Sequence, residues 1–334
     1  MTLYFNHSSI SIVQFTDLHM GEDDHKDLLS LNLMRSILST ETPDFVVFTG
    51  DQVAGYDVFS YSRRLFLWKQ ALSITAEFGI PFATIFGNHD DQPFRLDPLV
   101  WNQLAYYALT VALFVCAAAY CVIGPKRKTV CCVLLFCFLP ILTVLLSTNP
   151  SCATREALLK HERKEFPSLS YTGKSSPGVS HGTSNYRVVL QTPNGSMALL
   201  FMDSGGGMIP DSFHGDQMEW VRSHRSIPSV AFMHIPPVGF GSPAYGQEPS
   251  SVCPGSETLM RVLAESGVRA LFVGHDHGNS WCRFQDPMLL CYGKHSGYGG
   301  YDFNESVRGA RIIDLHMKNV SLLTVDTRVV LREI

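Results

Sequence analysis

Five short apolar runs in this chain stop at side chains able to bind a cation, and the stretches between them limit how the runs can be arranged. Residues 10–17 lead into Asp17-Leu18-His19, Pro43 to Thr49 into Gly50-Asp51, and Ile80 to Phe86 into Gly87-Asn88-His89-Asp90-Asp91. Val230 to Met233 stops at His234, where Pro236-Pro237 forbids continuation, and Val268 to Val273 stops at Gly274-His275-Asp276-His277. Apolar runs of this length bounded by turn residues read as buried strands. Residues 28–38, 59–78, 155–166, 217–224 and 257–266 carry helical patterns, with Leu28, Leu31, Met34 and Leu38 spaced as a core stripe. Alternation of strand and helix predicts a mainly parallel α/β sheet. Such sheets place ligands at the carboxyl ends of their strands. A side-chain period of two would turn Asp17 and His19 to one face, and likewise His275 and His277. Thr192-Pro193-Asn194-Gly195 predicts a hairpin, the run from Asp203 to Gly207 a flexible strand exit, and Met288–Tyr292 and 311–315 further strands.

The pattern is interrupted once. No charged residue occurs from Pro98 to Pro125 or from Thr129 to Thr154, and Lys126-Arg127-Lys128 lies between. Each run is long enough to cross a bilayer, so residues 98–150 read as a transmembrane hairpin inserted into a discontinuous domain of 1–97 and 151–334. The alternatives are a pair of buried core helices or an artefact of the gene model. The expectation is a multi-pass membrane protein with two helices and the membrane as a partner. The basic turn and the cluster Arg155, Lys160, Arg163 and Lys164 argue opposite orientations, and sequons at Asn6, Asn194, Asn304 and Asn319 mildly favour a lumenal side. The net charge of −4 and the lack of a basic stripe exclude a nucleic-acid partner. The nine cysteines show no CxxC or Cys/His zinc spacing, and Cys282 and Cys291 flank a hairpin where pairing and free thiols are both open.

Asp17, His19, Asp51, Asn88, His234, His275 and His277 are all nitrogen or oxygen donors, with His89 beside them. Any one of these histidines alone would read as a core or surface imidazole. Two cations about 3.5–4 Å apart need a set of this kind, with one carboxylate able to bridge. In this order DxH, GD, GNHD, a strand-end His and GHDH resemble the calcineurin-like metallophosphoesterase superfamily, over the chain apart from 98–150. GDQVAGYD, HIPP, GHDHGNSWC and LCYGKHSGYGGY resemble its short purple-acid-phosphatase-like branch.

The resemblance implies a four-layer α/β/β/α sandwich, here with an inserted apolar helical hairpin. It also implies two divalent or trivalent metal ions, Fe, Mn or Zn. Asp17, His19 and His277 would hold one, Asn88, His234 and His275 the other, with Asp51 between. Purple acid phosphatases carry a tyrosine ligand three residues after the bridging Asp, where this chain has Ala54, so a colourless pair is expected. The implied reaction is phosphate-ester hydrolysis by a metal-bound hydroxide. His89 would be the general acid, oriented by Asp90, and the substrate a phosphorylated small molecule, protein or lipid. His295 reads as a substrate contact or a structural residue. The alternatives are an inactive scaffold or binding protein on the same fold, and a phosphodiesterase or lipid phosphatase.

Overall fold

The computed structural model describes residues 1–93, 153–241, 248–303 and 307–333. Met1–Gln92 and Ala153–Ile334 form one unit and Pro93–Cys152 another, and the described strands and helices belong to the first. The hairpin expected over 98–150 lies outside the described residues. The membrane expectation is corrected: among the described residues no helix is long and apolar enough to cross a membrane. The longest of them, α1 (Asp24–Glu41), has 18 residues but includes Asp24, Lys26, Asp27, Arg35 and Glu41, and it buries one face only.

Two sheets carry the unit. The five-stranded sheet runs β12 (Leu322–Arg332), β11 (Arg308–Asn319), β2 (Ser9–Phe15), β3 (Phe45–Thr49), β4 (Phe82–Ile85). The seven-stranded sheet runs β1 (Thr2–Tyr4), β5 (Tyr186–Thr192), β6 (Gly195–Phe201), β7 (Ser229–Phe232), β8 (Val268–Val273), β10 (Met288–Tyr292), β9 (Cys282–Gln285). Both are mixed rather than mainly parallel. β2, β3 and β4 pair in parallel, as do β6, β7, β8 and β10, while β11 runs antiparallel to β2 and β12.

Alternation along the strands sends side chains to two cores. Ile12, Phe45, Val47, Ala83 and Ile85 share one buried cluster with Val188, Leu199, Ala231 and Leu271 of the other sheet. The same cluster takes in Trp220 and Val221 of α4 (Gly215–Ser223) and Leu259, Val262 and Leu263 of α5 (Leu259–Glu265). Val13, Phe15, Val46 and Phe48, on the opposite face of the five-stranded sheet, pack with α1, α2 (Tyr61–Glu77) and α3 (Arg155–Glu165). Each fully buried Leu, Ile, Val or Phe contributes about 1.5–3 kcal/mol relative to exposure, so both sheets are held by apolar burial.

α1 starts where Asp23 accepts hydrogen bonds from the amides of His25 and Lys26, and stops at Thr42, whose φ is 45°. Leu31, Met34 and Leu38 are buried as the spacing predicts, but Leu28 is 53% exposed. The buried stripe begins at Asp27, and Leu28 lies about 100° further round the helix. The hairpin of β5 and β6 closes with Thr192 opposite Gly195. Cys282 and Cys291 face each other across β9 and β10 and form a disulfide.

Candidate metal centre

β2, β3, β4, β7 and β8 stop at the same end of the molecule, and the donors lie just beyond the strands rather than on them. β2 ends at Phe15 and β8 at Val273, so a strand period of two does not bring their tips together. The turns do. Asp17, His19, Asp51 and His275 have φ of 58°, 47°, 55° and 77°, in the left-handed region that non-glycine residues rarely enter. Backbone bonds hold two of these turns together, from the Asp17 amide to Gly50 O and from the His19 amide to Asp51 O. Unfavourable backbone of this kind persists only where its surroundings over-determine it, and it gathers at functional sites.

All the sequence-predicted donors come together. Asp17, His19 and His277 bring one donor atom each within 4.8 Å of one another, as do Asp51, His234 and His275, and His19, Asp51 and His89. His19 Nε2 lies 3.2 Å from His277 Nε2 and 3.6 Å from Asp51 Oδ2. His277 Nε2 is 3.8 Å from Asp17 Oδ1. Across the centre, His234 Nε2 is 3.1 Å from both Asp51 Oδ2 and Asn88 Oδ1. Ligands about 2.0–2.2 Å from a zinc-sized ion stand roughly 3.0–3.5 Å from one another, which is close to these separations.

The protonation states suit cations as well. Burial holds His275 down to about 3 and His277 down to about 4, and His19 well below the usual imidazole range, so these rings stay neutral. His277 donates from Nδ1 to the Tyr301 carbonyl at 2.8 Å, which leaves its Nε2 lone pair facing the centre. His234 Nδ1 is tied to the Thr49 carbonyl at 2.8 Å in the same way. His19 Nδ1 is buried without a hydrogen-bond partner. Burial pushes Asp51 up, but His234 above all outweighs it and holds the carboxylate well below its usual range. Asp17 lacks that surplus, and burial lifts it to about 7. Against the pull of burial, Asp51 beside it raises His234 to about 9, so a cation would have to displace the proton on its Nε2; the other three imidazoles are neutral, and with the charged Asp51 they form a donor set that fits cations.

Asp90 does something other than orient His89. Its Oδ2 accepts from the Gly87 amide at 2.7 Å and the Asp51 amide at 3.1 Å, and its Oδ1 from the Val53 amide at 3.1 Å. It therefore clips the GNHD turn to the GD turn. His89 Nδ1 is buried without a hydrogen-bond partner, and its Nε2 is 4.0 Å from Asp51 Oδ2. Gly87 is required by proximity, since a Cβ there would stand 2.2 Å from Asp51 Oδ1. His295 is buried behind His277, with ring centroids 3.9 Å apart, which is the structural alternative rather than a substrate contact.

The residues that support the donors escape sequence reasoning. Tyr301 stacks on His277 at 4.0 Å and 6°, and its hydroxyl donates to Glu248 Oε1 at 2.6 Å. Arg155 is wholly buried and donates to the carbonyls of Gly87, Gly205 and Gly206 and to the Asp203 carboxylate. Its Nε also stands 3.3 Å from Asp91 Oδ1, an ion-pair contact outside hydrogen-bond geometry. The glycine run is consequently pinned rather than flexible. Gly206, at φ 90°, lies so close that a Cβ would stand 2.3 Å from Asn88 Cβ. The available signals were an Arg opening a helix directly after a long uncharged run and an acidic residue shortly before three glycines.

The calcineurin-like phosphoesterase model matches residues 10–147. Among curated proteins, the chain is 25% identical to the Arabidopsis thaliana protein called probable inactive purple acid phosphatase 28, over 92% of this chain and 75% of the relative. It is 22% identical to probable inactive purple acid phosphatase 14 of the same plant, over the same shares. Among solved structures, a dimetal phosphatase from Danio rerio superposes with a TM-score of 0.51 at 13% identity, covering 95% of this chain and 98% of that one, a likeness of fold. The ordered donors thus come together in a chain that matches the calcineurin-like phosphoesterase model over residues 10–147 and is similar to purple-acid-phosphatase-like proteins.

Proposed function

We propose that this chain is a metal-dependent hydrolase of phosphate esters, working on the end of an α/β/β/α sandwich formed by the two sheets and their helices. The observation that carries the reading is the gathering of seven donors from five strand ends around Asp51. Asp17, His19 and His277 would hold one cation and Asn88, His234 and His275 the other, with Asp51 shared. Bound there, the cations would supply charge neutralisation for an anionic ester and Lewis acidity toward its oxygens.

The chain's own groups do the rest. Hydrolysis forms a bond from a water oxygen to phosphorus and breaks the bond from phosphorus to the ester oxygen. The departing oxygen needs a proton, and His89 supplies it from Nε2, on the side of its ring that faces Asp51. The side chain of His89 is 22% exposed, so the proton can be renewed from solvent. The Asp90 clip and the Arg155 contact to Gly87 fix the turn that carries Asn88 and His89. Ala54 in place of the tyrosine ligand fits a pair of ions such as Fe, Mn or Zn without a phenolate.

The names of the two plant relatives favour a second reading, a protein that binds metals without hydrolysing esters. Turnover of an aryl phosphate by the metal-reconstituted chain separates the two. The hydrolase reading expects turnover that falls at least a hundredfold, on the order of 3 kcal/mol, in His89→Ala with metal content retained. No turnover in a chain carrying its metals supports the second.

A further inference from the structure

A cavity of about 600 Å³ opens beside Asn88 and His275, on one flank of the donor cluster. One wall is apolar: Met208, Ile209 and Val252, with Met208 50% and Val252 41% exposed. Gln92, Asp211 and Ser251 add polar side chains to the lining beside Asn88 and His275, and no Lys or Arg is among the described lining residues. Met208 and Asp211 belong to the stretch after the pinned glycine run, so the wall is carried by backbone fixed against Asn88 and Asp91. On the other flank Tyr301 and His295 stack against His277.

An ester whose phosphoryl group sits at the donor cluster must send its alcohol somewhere, and the cavity is the space adjoining Asn88 and His275. Its chemistry is selective. Apolar side chains reward an apolar body, and a carboxylate with no Lys or Arg beside it among the described lining residues repels a second anion and attracts a cation. Building on the hydrolase reading, we propose that this cavity receives the leaving alcohol and selects phosphomonoesters whose alcohol is apolar and uncharged or cationic. Alcohols carrying a further phosphate or carboxylate are excluded. Asp211 sets the charge preference and Met208 contributes the apolar contact.

The test uses the full chain reconstituted with metal and three phenylphosphonates that differ only at the para position: trimethylammonio, hydrogen and carboxylate. Affinities are measured by displacement calorimetry against inorganic phosphate, and the matching phenyl phosphates are offered as substrates in parallel. The expected order is cationic, neutral, anionic, with the carboxylate compound bound roughly tenfold more weakly than the neutral one. Asp211→Asn should remove the advantage of the cation, Asp211→Lys should reverse the order, and Met208→Ser should weaken all three relative to inorganic phosphate. Equal affinities in the wild-type chain, no binding of any phosphonate, or an order unchanged in Asp211→Lys overturns the proposal. Ordered binding without hydrolysis of any ester overturns the hydrolase reading and leaves the cavity's chemistry standing. Hydrolysis without the order does the reverse.

Discussion

The two halves of the donor cluster differ in what stands behind them and what lies in front. Asp17, His19 and His277 are each 2% exposed, and His277 is backed by Tyr301 on one ring face and His295 near it. Asn88 and His275 line an open cavity, and the turn that carries Asn88 is braced by a buried cation, Arg155, through Gly87 and Asp91. One half is therefore held by ring stacking in a closed place and the other by charge and backbone bonds beside an opening. The closed half is suited to keeping an ion, and the open half to meeting a ligand.

Removing the brace should separate the halves most strongly. Arg155→Met leaves Asp91 and Asp203 buried without their cation, and breaking a buried pair in this way costs about 3–5 kcal/mol. Urea unfolding should show that loss, and a change under about 1 kcal/mol would mean the brace carries little.

Acid gives a finer version of the same test. Burial pushes Asp203 up, but Arg155 outweighs it and holds the carboxylate below its usual range. A carboxylate depressed on folding contributes stability above its unfolded value, roughly 3.9, and that contribution disappears as pH falls through the lower folded value. The stability gap between the wild-type chain and Asp203→Asn should hold from pH 7 to about 5 and close below about 4. A gap that widened in acid would contradict the sign.

On the closed half the expected effect is smaller. Tyr301→Ala removes a stacked ring but keeps the carbonyl that receives the His277 proton, so stacking of about 0.5–1.5 kcal/mol is lost. Titration of the metal-free chain with zinc should show one of two binding steps weakened up to about tenfold and the other unchanged. Equal weakening of both steps would mean that the halves are not separately supported.

The sequence made the donors legible because ligand chemistry demands particular residue types, and those types fall at the ends of apolar runs. The reason they converge was not legible in the same way. Strand periodicity offered Asp17 with His19 and His275 with His277, whereas left-handed turns beyond β2 and β8 bring them in. Asp90 looked like a partner for the neighbouring imidazole, yet its oxygens are taken by three backbone amides, a demand that only the folded turn creates. Arg155 had no visible partners because Asp203 and the glycine carbonyls lie some fifty residues away along the chain. β1 was missed because it is three residues long, and β12 because its outward residues are polar or exposed and it shows no long apolar run. In the five-stranded sheet the mixed character was hidden for the same reason, since β11 and β12 supply its antiparallel edge, whereas the hairpin of β5 and β6 was legible in the other sheet.

The central claim is that scattered side chains grip a pair of cations through a shared Asp51. Metal content per chain after reconstitution and desalting, measured by plasma mass spectrometry, tests it most directly. Two ions per wild-type chain, falling to one or none in Asp51→Asn with the fold intact by circular dichroism, is the predicted result. A wild-type chain that retains no metal, or an Asp51→Asn chain that still carries both ions, would contradict it.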